Sequence, residues 1–99
     1  MASMFWGDDT MRNKITQAEF DKIEHLVDCA LSANNKAEAK RYISQIEYVC
    51  LDLHGYANTV FHSLISSVER ASGKINDKER LKSFAYIDLQ KLNGEIEKE

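Results

Sequence analysis

The sequence predicts an all-α fold, and three observations carry that expectation. Apolar residues recur at helical rather than alternating spacing along most of the chain. Helix-capping signals stand where the periodic stretches begin. Helix breakers are scarce, since 99 residues contain no proline and only four glycines, which argues against a turn-rich β fold.

A chain of this length suits one domain. A domain so short buries only about 60–65% of its unfolded surface and gains from a partner. Apolar residues make up 43% and charged residues 29%, as in a globular rather than a disordered chain. The net charge of −3 excludes a globally basic nucleic-acid footprint but leaves room for a local patch. Cys29 and Cys50 are too few for a disulfide framework. The opening residues lack a basic region followed by an apolar run, and no run approaches the ~18–20 residues of a membrane span. The expected compartment is the cytoplasm, with both thiols reduced.

Residues 1–14, MASMFWGDDTMRNK, show no periodicity and are expected to form a flexible lead to a helical domain over 15–99. Phe5 and Trp6 are the side chains in that lead suited to anchoring a partner.

The first helix is expected over about 16–33. Thr16-Gln17-Ala18-Glu19 is a capping box, and Ile15 and Phe20 sit where a hydrophobic staple places them. Phe20, Ile23, Val27, Ala30 and Leu31 form its inner stripe, and Asp21, Glu24 and Asp28 face away. Ala33-Asn34-Asn35 ends it, with Asn35 capping the next helix.

The second helix is expected to run from about 36 to 72 without a break, roughly 55 Å long. Ala39, Tyr42, Ile43, Ile46, Val49, Cys50, Leu53, Ala57, Val60, Phe61, Leu64, Val68 and Ala71 keep one helical phase across that span. His54-Gly55-Tyr56 has the chemistry of a helix stop. Gly55 nonetheless projects opposite the stripe, where a mid-helix glycine costs about 1 kcal/mol. The alternative is a chain broken at Gly55 into a monomeric up-down four-helix bundle.

The third helix is expected over about 77–96, capped by Asn76 with Glu79. Its inner face is Leu81, Phe84, Ala85, Leu89, Leu92 and Ile96, and its acidic finish is expected to fray. Two shorter helices lying antiparallel along one long central helix make a thin layer with open apolar edges. A homodimer with two central helices side by side would complete a four-helix cross-section.

No grouping of acid, base and nucleophile supports catalysis, and no cofactor is expected. His25 and Cys29, with Cys50 and His54, have zinc-ligand chemistry. Across a hairpin turning at Asn34-Asn35, however, the two pairs fall on the order of 15 Å apart. His54, Asn58 and His62 read as a solvated helix side. Asp88 reads as a flank carboxylate with access to water.

The expected function is therefore non-enzymatic: a small acidic helical module that binds and modulates a partner protein, as inhibitors, adaptors and immunity-type proteins do. The candidate contact residues are Phe5 and Trp6 together with the acidic face Glu19, Asp21, Glu24 and Asp28. The alternative is a helical dimer contacting nucleic acid through basic ends, formed by Lys36, Lys40, Arg41, Arg70, Lys74, Lys78, Arg80 and Lys82.

Overall fold

The computed structural model describes residues 12–72 and 78–97. Within them lie four helices: α1 (Gln17–Leu31), α2 (Lys36–Val49), α3 (Tyr56–Ser72) and α4 (Lys78–Asn93). Phe5, Trp6, Lys74, Asn76 and Asp77 lie outside the described residues.

Local sequence sets the helix ends. The Thr16 hydroxyl accepts from the Glu19 amide at 3.1 Å, and the Glu19 carboxylate accepts from the Thr16 amide at 2.9 Å. That capping box satisfies two of the four donors a helix start leaves open. The Asn35 side chain accepts from the Glu38 amide at 2.8 Å and starts α2. Ile15 and Phe20 are both buried, as a staple requires.

The expected long central helix is not formed. The chain leaves α2 after Val49, reverses through 50–55 and re-enters helix at Tyr56. Gly55 takes φ +77°, the left-handed region that side chains disfavour. The backbone groups released by the break find new partners in the segment before α1. The Arg12 amide donates to the Asp52 carbonyl at 3.0 Å, and the His54 amide donates to the Arg12 carbonyl at 2.8 Å. Cys50 and Leu53 stay buried outside any helix, beneath the end of the bundle. Their phase along the sequence therefore matched a helix that the backbone does not continue.

A short strap, residues 12–16, fixes the topology. It pairs with the α2–α3 loop through Arg12 and Leu53, and with the stretch after α4 through Ile15 and Ile96. The start of α1, the end of α2, the start of α3 and the end of α4 therefore meet at one pole. The helices run up, down, up and down, with α1 packed chiefly on α2 and α3 chiefly on α4. Ile15, Ile23, Leu31, Ile46, Leu64 and Leu92, one or more from every helix and the strap, are among the most buried side chains of one continuous core. Because four stripes face one another within one chain, the thin layer that called for a homodimer does not arise.

Arg12 locks the strap. Its Nε lies 2.9 and 3.0 Å from the two Asp52 carboxylate oxygens. Its Nη1 donates to Glu19 Oε1 at 2.8 Å and its Nη2 to Glu19 Oε2. The pairing holds the Glu19 carboxyl below its ordinary range, chiefly through the guanidinium hydrogen bond, and raises the Arg12 guanidinium. The acidic finish, expected to fray, is pinned as far as Glu97. Ile15 donates to the Glu95 carbonyl at 3.0 Å and the Glu97 amide donates to the Ile15 carbonyl at 2.7 Å.

Candidate functional site

Helix α4 departs most from its expected pattern. Ala85, Leu89 and Leu92 are buried as expected, but Phe84 is 47% exposed and Ile87 is 48% exposed. An apolar side chain standing alone on a surface needs no explanation, whereas a cluster beside a cavity does. Phe84 and Ile87 border a groove of about 280 Å³ between α3 and α4. Leu81, Asp88 and Lys91 complete the α4 wall, and Ser63, Ser67 and Arg70 form the α3 wall.

Helical spacing builds both walls. Leu81, Phe84, Ile87 and Lys91 recur at three and four residues along α4, and Ser63, Ser67 and Arg70 do so along α3. Asp88, expected on a solvated flank, is only 8% exposed. It is tolerated there because Ser63 and Ser67 donate to its Oδ2 at 3.0 and 2.8 Å. Those bonds tie α4 to α3 and form the polar floor of the groove. Arg70 and Lys91 are exposed at its rim, and among the described residues neither forms an ion pair.

The expected acidic face divides into separate roles. Glu19 is consumed by Arg12 and the helix cap. Asp21 is exposed and accepts from Gln17 at 2.9 Å. Glu24 borders a second groove with Phe20, Tyr86 and Leu89. Asp28 accepts from the Tyr86 hydroxyl at 2.9 Å, and the phenol is raised by partial burial and by that carboxylate.

The two basic groups, by contrast, converge within one chain. Lys36, Lys40 and Arg41 open α2, Arg70 lies in the last turn of α3, and Lys78, Arg80 and Lys82 open α4. The up-down topology brings all three helix ends to the pole opposite the strap. A cavity of about 280 Å³ there is bordered by Lys36, Lys40, Ile43, Glu69 and Ser72.

The cysteines and histidines stay apart. His25 and Cys29 meet at 3.6 Å on α1, while Cys50 is buried at the strap pole. Burial pushes the Cys50 thiol up to about 11, which keeps it protonated and inert. His54 lies in the α2–α3 loop, not on a helix shared with His62. Among the described residues no group of three or more His, Cys, Asp or Glu is placed to hold a metal ion. No described helix is long and apolar enough to cross a membrane.

Comparison with protein-family models, curated proteins and solved structures finds no match to this chain. Sequence periodicity does not single out Ser63, Ser67 or Ile87, and it assigns Phe84 to the core. The available signal was the recurrence of Ile87 three residues after Phe84 and four before Lys91, a second apolar line beside the core stripe of α4.

Proposed function

We propose that this protein is a non-enzymatic interaction module, a small helical domain that binds and modulates a partner protein of the kind inhibitors, adaptors and immunity-type proteins engage. The observation that carries the reading is the α3–α4 groove. Phe84 and Ile87 expose large apolar surface beside a polar floor, although the core is already complete without them. A helix face of this kind supplies the apolar anchors that dominate protein interfaces. We therefore take α4, rather than Glu19 and its neighbours, as the proposed contact surface. A homodimer is not carried into the proposal, because its motive was a rod the chain does not build. The cytoplasm remains the proposed compartment, on the ground that Cys29 and Cys50 are both free thiols.

The test is affinity capture from the source cells with the full-length protein and with Phe84→Ala/Ile87→Ala. The expected result is one or more captured proteins lost from the variant, while circular dichroism shows the variant folded. Recovery of the same proteins by both forms would refute the groove as the contact surface.

A second reading is favoured by the convergence of Lys36, Lys40, Arg41, Arg70, Lys78, Arg80 and Lys82 at one pole. Such an end could contact the phosphates of a nucleic acid. It predicts retardation of duplex DNA with steep salt dependence, weakened by Lys36→Glu/Lys40→Glu. Unchanged DNA mobility at low salt would eliminate it.

A further inference from the structure

We infer that the α3–α4 groove takes an amphipathic helix of a partner protein carrying two carboxylates, one near each end of the groove, with apolar side chains between them. This inference deepens the proposed function and rests on it. The accessible charge of the groove is cationic. Arg70 and Lys91 stand exposed at the rim without ion-pair partners among the described residues, whereas the Asp88 carboxylate is 8% exposed and already accepts from two serines. Between the two cations lie Phe84 and Ile87. Cation, apolar pair, cation is the complement of an acidic amphipathic helix laid along the groove.

The spacing of the carboxylates follows from helix geometry. Asp88 bonds both Ser63 and Ser67, so it stands level with the midpoint between them on the antiparallel α3. Counting outward, Arg70 comes level with about residue 83 of α4. Lys91 lies about eight residues further along, about 12 Å at 1.5 Å per residue. Two turns of a partner helix cover about 11 Å, which puts its two acids seven residues apart on one face. Apolar residues three and four positions after the first acid then fall between them, over Phe84 and Ile87. The motif is acid, two residues, two apolar residues, two residues, acid.

A second copy of this chain does not supply that motif from its acidic helix. Asp21 and Asp28 of α1 are seven apart, but the positions between them on that face are Glu24 and His25, both exposed and polar. Docking that face would set two polar groups, Glu24 and His25, against Phe84 and Ile87 with no apolar contact in return.

The test uses the full-length protein and a labelled alanine-rich helical peptide carrying Glu-x-x-Leu-Leu-x-x-Glu, read by fluorescence anisotropy. A peptide with lysine in place of both glutamates is the control. Saturable binding of the acidic peptide is expected, with the lysine peptide at least tenfold weaker. Arg70→Glu/Lys91→Glu should invert that preference, and Phe84→Ala/Ile87→Ala should weaken the acidic peptide at least tenfold. All four positions are exposed, and circular dichroism verifies that each variant is folded. Equal binding of both peptides, no binding, or a preference that survives charge reversal would overturn the inference. So would light scattering that shows a dimer dispersed by Phe84→Ala, since the groove would then belong to a second copy. If the peptides fail while a captured native protein still depends on Phe84 and Ile87, the acidic motif falls and the groove stands. If that protein ignores both residues, the groove falls as well.

Discussion

Gly55→Ala separates a turned chain from a continuous helix by the sign of its effect. In an uninterrupted helix the alanine would stabilise the fold by about 0.5–1 kcal/mol, because mid-helix glycine loses more backbone entropy. In the observed turn Gly55 has φ +77°, and an added methyl meets Asn13 Cβ at 3.7 Å, an ordinary contact. Sterics against the rest of the protein therefore add nothing, and the left-handed backbone alone sets the cost. That penalty is about 1–2 kcal/mol for an L-residue. For a domain of 60–100 residues each kcal/mol lowers Tm by about 4–8 °C, so a fall of about 4–16 °C is expected. Thermal unfolding followed by circular dichroism at neutral pH measures it. Gly55→Asn should fall between glycine and alanine, since asparagine tolerates this region better. A Gly55→Ala Tm equal to or above the parent would refute the turn as a left-handed, glycine-dependent reversal.

Arg12→Met keeps the aliphatic stem but removes both carboxylate pairs, which are partly exposed, so a loss of about 1–2 kcal/mol in urea unfolding is expected. A midpoint unchanged from the parent would show that the Arg12 side chain does not lock the strap. Acid should act on the same lock. The folded Glu19 holds its proton less readily than the unfolded chain, whose carboxyl titrates near about 4.3. Its contribution is therefore complete above that value and lost as pH falls through the lowered folded value. Tm measured from pH 6 to pH 2 should fall less steeply in Glu19→Gln, and equal slopes would exclude the lock as the source. Thiol titration at pH 8 should show Cys29 reacting fast and Cys50 only on unfolding, because burial pushes the Cys50 thiol up to about 11. Two fast thiols in the native protein would contradict the packing at the strap pole.

Much of the fold was legible because local chemistry and burial agreed. Thr16 and Glu19 announce the start of α1, Asn35 announces α2, and periodicity gives the core residues of α1 and α3 except Leu26 and Ile65, which are also buried. The break at Gly55 was obscured because Cys50, Leu53 and Ala57 hold one helical phase although only Ala57 is in a helix. A loop folded under a bundle end can bury the same residues a helix would. What decides the reversal is Arg12, a residue some forty positions away whose amide and carbonyl take the loop backbone. No window of sequence contains both partners. The groove was hidden for a related reason. Asp88 looked like a flank residue because its satisfying hydroxyls, Ser63 and Ser67, belong to another helix. With the carboxylate held inward, Phe84 and Ile87 of α4 face outward, so that Phe84, expected in the core, lies at the surface.

The strap also sets an order on synthesis. Ile15 leaves the ribosome about 80 residues ahead of Glu95 and Glu97, the residues it pairs with, and at about 5–20 residues per second that interval lasts several seconds. During it the α1–α2 stretch has been made but lacks the clasp that joins it to the second hairpin. Closure of the clasp therefore waits until residues 95–97 have been made, well after the strap and the first hairpin.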